Sequence, residues 1–293
     1  MRARSFQLVV VALIAPMLAA CGAAAPASPS ASPQAELPVN AQVRLRLTTI
    51  QALPPEATLG WLPQVVVTLD GRVLSGGAVA AIFPGPLVMP VMERQLSPIG
   101  WTRLVDAARA AGLLGLNPDF TGGQLPPGSQ VTRLELVADG RLYDLRGDAT
   151  RQIACIQAPC VAPPGTPDAF AGFVNALTDL GSIVGPENLG PEQRLQPAGY
   201  AVIVGPAPDD QGLPRPPIAW PLAAGFASFG KPMLDGSGGR CGSITGADLG
   251  PIRPAFDAAT QITPWRDPAD GSLHGLVVRP LLPGDGDPCE GLV

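Results

Sequence analysis

Val65-Val66-Val67-Thr68-Leu69-Asp70-Gly71-Arg72-Val73-Leu74 is the stretch that decides the predicted fold of this chain. A β-branched run leads into Asp70-Gly71, the dipeptide that best tolerates a type I′ turn, and a second apolar run leaves it. Residues 43–48 alternate between apolar and polar side chains, which is typical of a half-buried strand. We therefore predict a β-hairpin preceded by a strand.

A second hairpin is predicted between Val131 and Leu145, with its turn at Asp139-Gly140. In a tight-turn register, Glu135 would lie opposite Asp144, and like charges facing each other across two strands are unfavourable. We therefore expect either a longer turn or a fully solvated face at this place.

Two helices are predicted, one after each hairpin. Each begins with a hydroxyl side chain as N-cap and a proline at the first helical position, namely Ser97-Pro98 and Thr166-Pro167. Each ends near a glycine, Gly112 or Gly181. At helical spacing an apolar stripe indicates a core-facing surface rather than a ligand cage. The stripes are Trp101, Leu104, Val105 and Ala108 in the first helix and Phe170, Phe173, Val174 and Leu177 in the second.

The order strand, hairpin, helix, hairpin, helix predicts an α+β domain over residues 43–185, with antiparallel hairpins and helices packed on one face. Residues 186–199 lack apolar periodicity and are predicted to be a linker or a long surface crossing. Residues 200–293 are predicted to form a smaller, disulfide-stapled C-terminal α+β module. Its elements would be a strand at 200–204, a short helix around Ile252 and Phe256, and a final strand at 274–278.

The N-terminus has the layout of a signal peptide. Arg2 and Arg4 form a basic start, and residues 6–17 form an apolar run that is shorter than the ~20 residues needed to span a bilayer. Leu18-Ala19-Ala20-Cys21 follows, and this stretch resembles the lipobox of bacterial lipoproteins. The resemblance implies that residues 1–20 are a signal peptide cleaved before Cys21, whose sulfur is diacylated. The alternative is a buried N-terminal helix that ends in an ordinary core cysteine.

Residues 21–42 would then comprise the lipidated cysteine and a segment made mostly of Ala, Pro and Ser. This composition has little apolar surface to bury, and proline favours extended chain, so we expect a disordered tether of semi-rigid reach. The resemblance places the folded body on the extracytoplasmic side of the cell membrane, held there by its lipid.

The cysteines after Cys21 are even in number, which in an exported protein predicts two disulfides. Three pairings of Cys155, Cys160, Cys241 and Cys289 are possible in principle. We favour Cys155 with Cys160 and Cys241 with Cys289, because the members of each pair lie close in sequence. A zinc site is the alternative, but the Cys-x4-Cys spacing and the single histidine are a poor match to known zinc ligands.

The C-terminal third carries a second resemblance. Cys241-Gly242, an apolar helix, Trp265, a strand, the run Arg279-Pro280-Leu281-Leu282-Pro283 and the last Cys289 follow one another over residues 200–293. This arrangement resembles uncharacterised secreted or lipid-anchored proteins of high-GC bacteria. The resemblance implies a shared fold module and brings no catalytic residue with it.

The charge of the chain excludes one class of partner. The formal net charge is −5 and no basic block is present, so the chain lacks the electrostatic footprint of a nucleic-acid binder, and we expect no nucleic-acid partner. Hydrophobic residues make up 46% of the chain, which is enough for a substantial core.

Nucleophilic catalysis would have to use His274, the single histidine. No serine stands in a G-x-S-x-G setting, and Gly236-Ser237-Gly238 is only a partial imitation. We therefore expect His274 to be a surface or hydrogen-bonded structural residue. The glycine-rich run at 235–240 also lacks the pattern of a phosphate-binding loop, and Cys241 directly after it favours a disulfide-tethered turn.

Carboxylates offer a second kind of chemistry. Asp285-Gly286-Asp287 matches part of a calcium loop but lacks its third acidic position and its distant Glu, so solvated turn acids are expected. Acid–base hydrolysis by two carboxylates stays open, because their separation cannot be read from the sequence. The acids concerned are Asp267, Asp270, Asp285, Asp287 and Glu290.

These observations predict a lipid-anchored envelope surface protein that is not an enzyme, needs no cofactor or metal, and binds a protein or small ligand or serves the envelope structurally. The first alternative is an envelope hydrolase that uses carboxylates. The second is an inhibitor or assembly factor, for which an exposed apolar patch of several hundred Å² would be the sign.

Overall fold

The chain builds two largely antiparallel sheets, and the hairpins predicted from the sequence lie in the first. The computed structural model describes residues 42–50, 59–115, 119–122, 130–150, 162–208, 212–213 and 216–293. The strands of the first sheet are β1 Val43–Ile50, β2 Val65–Thr68, β3 Arg72–Gly76, β4 Val91–Gln95, β5 Asp119–Phe120, β6 Val131–Ala138, β7 Arg141–Gly147 and β8 Gln193–Arg194. They lie in the order β5-β7-β6-β1-β2-β3-β4-β8. The short β5 runs parallel to β7.

The hairpin of β6 and β7 has a two-residue turn in which both residues are left-handed, Asp139 at φ 52° and Gly140 at φ 74°. Glu135 does face Asp144 across the ladder. The expected longer turn or fully solvated face is wrong, because Arg133 supplies a cation between the two acids. Its guanidinium donates two hydrogen bonds to Asp144, at 2.7 and 3.0 Å, and lies 3.0 Å from the carboxylate of Glu135.

The hairpin of β2 and β3 is confirmed, but its turn is longer than the predicted type I′ turn. Three residues, 69–71, separate the strands, and of these Gly71 alone is left-handed, at φ 84°. The Gly71 amide donates to the Thr68 carbonyl, and the Arg72 amide donates to the Thr68 hydroxyl at 2.9 Å. A type I′ turn needs positive φ at both central residues, and here the threonine hydroxyl closes a wider loop instead.

Both predicted helices are present. They are α1 Pro98–Ala110 and α2 Pro167–Leu177, and a short α3 Leu180–Val184 follows. The Ser97 hydroxyl accepts a hydrogen bond from the Gly100 amide, and the Thr166 hydroxyl accepts one from the Ala169 amide, which satisfies amides that a helix start leaves free.

The helices cover one face of the first sheet and enclose the larger core with it. Every second residue of the central strands points to this face, and the two predicted helix stripes meet it, although Trp101 is only partly buried. The core includes Leu45, Leu47, Val65, Val67, Leu134, Leu136 and Leu145 from the sheet and Leu104, Ala108, Phe170, Phe173, Val174 and Leu177 from the helices.

A register shift in β1 places Arg44 and Arg46 on different faces of the first sheet. Between Val43 and Leu45 the pairing with β2 skips a residue, as in a β-bulge. The bulge lets Arg44 reach the ring of Trp101 on α1, with its guanidinium carbon 5.4 Å from the ring centroid. Arg46 belongs to the opposite face, where Val66 and Leu74 pack with Leu282 from the C-terminal part of the chain.

The segment 186–199, predicted as a linker or surface crossing, is tied to the first sheet. Its 3-10 turn Pro186–Asn188 follows α3, Leu189 pairs with Leu96, and β8 pairs with β4. The Asn188 side chain is buried, and its oxygen lies 2.6 Å from the Ser97 hydroxyl.

The second sheet is built by the C-terminal part of the chain. Its strands are β9 Gly199–Pro206, β10 Ile218–Ala219, β11 Lys231–Pro232, β12 Arg240–Thr245, β13 Trp265–Arg266 and β14 Leu273–Pro280. They lie in the order β10-β13-β14-β9-β12-β11, and one helix, α4 Leu249–Ala258, packs on them. The core here is rich in aromatic rings, with Trp220, Phe226, Phe256 and Trp265 in mutual contact.

The architecture is therefore mixed α+β, as predicted. All described residues belong to one compact unit. None of the helices in the described ranges combines the length and apolar character that crossing a membrane would require.

Candidate functional site

A largely buried group of three charged side chains joins the first sheet to the C-terminal loop, residues 281–293, which follows β14. Arg46 of β1 lies 2.8 Å from Asp285, and Arg279 at the end of β14 lies 3.2 Å from the other carboxylate oxygen of Asp285. The side chains of Arg46, Arg279 and Asp285 are 16%, 12% and 5% exposed. We call them the junction triad.

Backbone contacts complete the triad. Asp285 accepts a further hydrogen bond from the Leu282 amide at 2.8 Å, and Arg46 donates to the Pro283 carbonyl at 2.8 Å. Gly284 lies so close to β1 that a Cβ atom there would come within 2.6 Å of a Val43 methyl carbon. The loop at 282–285 is therefore held flush against β1.

Burial strongly affects the Arg279 guanidinium. Loss of water around it lowers the pKa of Arg279, and the negative charge of Asp285 counteracts this effect. Among the described residues its Nε has no hydrogen-bond partner. Arg279 thus depends on Asp285 for its stabilisation and keeps one donor unused.

An open cleft of about 330 Å³ borders the junction triad. Its wall combines the two arginines with exposed acids and one partly exposed indole ring, so it is polar and of mixed charge. The side chains with polar groups that line it are Arg46, Thr48, Trp61, Arg279, Asp285, Asp287 and Glu290. Two larger grooves, of about 470 and 490 Å³, lie elsewhere on the first sheet and its helices.

Three of the candidate acids, Asp267, Asp285 and Asp287, accept hydrogen bonds from the backbone. Asp285 is fixed by the triad, and the exposed Asp287 accepts from the Cys289 amide at 2.9 Å. Asp267 is buried and accepts from the amides of Phe226 and Ala269, both at 2.8 Å. Such backbone-bonded carboxylates shape turns.

The acids of the C-terminal loop share one cleft, whereas Asp267 and Asp270 lie in the turn before β14. Glu290 lines the cleft and is exposed. In the described part of the chain, no group of three or more His, Cys, Asp or Glu side chains is placed so that it could hold a metal ion.

His274 belongs to a hydrogen-bonded chain with Ser272 and Asp270. The Ser272 oxygen lies 2.6 Å from an Asp270 carboxylate oxygen and 2.8 Å from His274 Nε2. Because a carboxylate can only accept, the single hydroxyl proton of Ser272 goes to Asp270, and His274 Nε2 must donate its own proton to the serine oxygen. The hydrogen bond from Ser272 also lowers the pKa of the Asp270 carboxyl.

This order is the reverse of a catalytic triad. A general base needs a free Nε2 lone pair towards the serine and an acid on the far ring nitrogen. Here the acid contacts the serine, and the histidine ring packs 4.8 Å from the Phe226 ring. The arrangement fixes the turn before β14.

The predicted disulfide between Cys241 and Cys289 is confirmed. It joins β12 to the end of the C-terminal loop, and both cysteines are buried. The predicted turn before Cys241 contains Ser237, whose amide and hydroxyl both donate to Asp235. The predicted lipidation site Cys21 and the predicted pair Cys155 and Cys160 lie outside the described residues.

The structure also reveals an exposed apolar loop that the sequence reasoning missed. Residues 77–90 connect β3 to β4, and the tip at 78–83 is exposed throughout, with Ile82 at 70% and Phe83 at 62%. A signal was available, because no residue from Gly76 to Val91 has a charged or hydrogen-bonding side chain. A run of this kind predicts a buried strand, and this one is a loop at the surface.

The chain was compared with protein-family models, curated proteins and solved structures, and none of the three comparisons gave a match.

Proposed function

We propose that this chain is a bacterial lipoprotein of the cell envelope that acts by binding and not by catalysis. The observation that carries the proposal is the order of features at the N-terminus: a basic start, a short apolar run and then Leu18-Ala19-Ala20-Cys21. These features match a signal peptide and a lipobox in the right sequence. The lipid on Cys21 would hold the body at the extracytoplasmic face of the membrane.

The disulfide between Cys241 and Cys289 supports this compartment. Structural disulfides persist in oxidising environments such as the envelope and are rare in reducing ones. We retain the second disulfide, Cys155 with Cys160, as part of the proposal. We also retain the finer description of the body as an α+β domain at 43–185 and a disulfide-stapled module at 200–293.

The non-enzymatic part of the proposal rests on what the reactive side chains do. His274 donates to Ser272, and Asp267, Asp285 and Asp287 each accept hydrogen bonds that shape the backbone. A hydrolase with two working carboxylates needs one acid free to exchange a proton with substrate and a second placed across the scissile bond. Because these side chains already make structural hydrogen bonds, we favour binding over the hydrolase alternative.

The cleft beside the junction triad is our candidate for a small-ligand site. Its lining includes the guanidinium groups of Arg46 and Arg279, the indole ring of Trp61 and the carboxylates of Asp285, Asp287 and Glu290. Cationic and anionic groups beside an aromatic ring suit a small polar ligand that carries both a positive and a negative group.

Fractionation of cells tests the anchor. Wild-type protein is expected in the membrane fraction, whereas Cys21→Ser should appear in the soluble extracytoplasmic fraction or persist as uncleaved precursor. Ala24→Ser leaves the lipobox intact and serves as the matched control, which should stay in the membrane. A mature Cys21→Ser protein that remains on the membrane would remove the proposed anchor.

Capture from intact cells tests the binding role. We expect an envelope component to enrich with wild-type protein and to be reduced when the exposed cleft residues Trp61 and Glu290 are replaced by Ala and Gln. If nothing enriches and the purified protein binds no envelope component, the binding proposal loses its basis.

A further inference from the structure

The loop tip at residues 78–83 exposes a continuous run of apolar side chains. The tip reads Ala-Val-Ala-Ala-Ile-Phe, and Ile82 and Phe83 are about as exposed as surface polar residues usually are. Single exposed apolar side chains are common, but a contiguous exposed stretch marks an interaction site.

The base of the loop is held firmly on both sides, so the tip is presented and not merely loose. The Gly77 amide donates to the Pro90 carbonyl at 2.8 Å, beside the β3–β4 pairing. On the other side Leu87 is buried in the second core and its amide donates to the Ala259 carbonyl, while the Gln261 amide donates to the Gly85 carbonyl. An ordered base lowers the entropy that the tip must lose when it binds.

We propose that this tip inserts into the interfacial layer of the lipid bilayer to which the chain is anchored. The inference rests on the proposed lipoprotein function, which supplies the bilayer. Protein interfaces carry a polar rim and about one hydrogen bond per 100–200 Å², and the run from Gly76 to Val91 offers no side chain that could make one. Contact with the apolar layer of a lipid bilayer requires no such hydrogen bonds.

The size of the tip also favours lipid over protein. A stable protein interface buries more than about 1,000 Å² in total, which two large side chains and their small neighbours do not approach. A bilayer contact can be this small when the lipid anchor already holds the body at the membrane, because the second contact is then intramolecular.

The predicted tether is long enough for this contact. β1 begins at the end of the first sheet where Val43 pairs with Thr68, and the loop leaves from the opposite end, where Gly76 pairs with Val91. An extended Pro-rich chain reaches about 3.1 Å per residue, so the segment between Cys21 and Gln42 exceeds the length of the five-residue β3 several-fold.

The contact should be apolar rather than electrostatic. The chain carries a formal charge of −5, and the loop from Gly76 to Val91 contains no basic residue that could attract anionic lipid. Insertion should therefore be at least as strong in phosphatidylcholine as in vesicles with added phosphatidylglycerol, and salt should not weaken it.

The test places a fluorescent reporter at the tip of the full lipidated chain. Phe83→Trp protein is reconstituted into phosphatidylcholine vesicles whose acyl chains carry bromine, which quenches indole rings that enter the apolar layer. Leu234→Trp is the matched control, because Leu234 is 77% exposed at a different place. Wild-type protein gives the background of the native tryptophans.

We expect the added emission of Phe83→Trp to be blue-shifted and quenched several-fold more strongly than that of Leu234→Trp. Adding Ile82→Asp to the Phe83→Trp chain should reduce the inserted population at least tenfold, because a carboxylate would have to enter the apolar layer. The quenching should fall with it. Both reporters lie at exposed positions, so the fold tolerates them.

Failure of this inference is distinct from failure of the anchor. If no variant floats with the vesicles, the lipid anchor is at fault. If the protein floats but Phe83→Trp is quenched no more than Leu234→Trp, the tip does not enter lipid and the proposal is overturned. If Phe83→Trp is shielded in native membranes but not in the lipid vesicles, the proposal is also overturned, and the result points to a protein partner.

Discussion

Replacing Asp285 by Asn should strongly destabilise the protein, because it removes the negative charge that two buried arginines share. Asp285 is 5% exposed and contacts Arg46 at 2.8 Å and Arg279 at 3.2 Å. Asn has nearly the size of Asp and keeps one acceptor oxygen. It leaves the guanidinium groups of Arg46 and Arg279 without a negative charge between them, at a site with little access to water. Breaking a buried ion pair from one side typically costs about 3–5 kcal/mol of the free energy of unfolding.

Urea unfolding, followed by tryptophan fluorescence to which the buried Trp220 and Trp265 contribute, measures this loss. Asp287→Asn is the matched control on the same loop. Asp287 is exposed and accepts one amide hydrogen bond, so its replacement should cost about 1 kcal/mol or less. A second comparison replaces Arg46, Arg279 and Asp285 together by apolar residues of similar volume, which should restore most of the lost stability.

The reasoning is refuted if Asp285→Asn is no more destabilising than Asp287→Asn. It is also refuted if the apolar triple variant is less stable than Asp285→Asn, because the cost would then not come from unpaired charge. In either case the junction between β1 and the C-terminal loop would be held by apolar contacts such as that of Leu282 with Val66.

Two further predictions concern the second sheet. Replacing Cys241 and Cys289 together by Ala should lower the free energy of unfolding by about 4 kcal/mol, since the disulfide closes a loop of 48 residues. Urea unfolding measures this loss. A loss below about 1 kcal/mol would contradict the disulfide between these cysteines. Burial raises the pKa of the Tyr200 phenol, so its contribution to stability is complete below about pH 10 and is lost as the pH rises through the folded-state value. Tyr200→Phe should therefore lose less stability than wild type in alkaline urea titrations, and identical losses would contradict this cause.

The local elements of the fold could be predicted because their signals are local. Ser97-Pro98 and Thr166-Pro167 cap their helices through the hydroxyl groups identified in the sequence. The second hairpin kept its tight turn although the facing acids argued against it. The missing information was Arg133, which lies two residues from Glu135 on the same face of β6 and neutralises both acids.

The junction triad could not be predicted because it depends on tertiary contact. Arg46 and Asp285 are 239 residues apart in sequence, and nothing in the alternating pattern of β1 tells which partner its outward charge will meet. The short strands β4 and β8 were missed for a related reason. Each is stabilised by pairing with its neighbours, since β4 lies between β3 and the edge strand β8 and follows directly on the long apolar loop.

The apolar loop shows a limit of hydrophobicity as a guide to burial. Leu87 is buried in the second core, whereas Ile82, five residues earlier in the same polar-free run, is exposed. Both side chains are apolar and similar in size, but Leu87 packs into the second core and its amide donates to the Ala259 carbonyl. Exposure of this tip therefore needed the structure.

Mass spectrometry of the mature N-terminus tests the central claim most directly. The account predicts that the mature protein begins at Cys21 and that this residue carries the added mass of a diacylglyceryl group on its sulfur. An N-terminal peptide that retains Met1, or a mature protein with an unmodified Cys21, would contradict the anchor and with it the proposed place of the protein in the envelope.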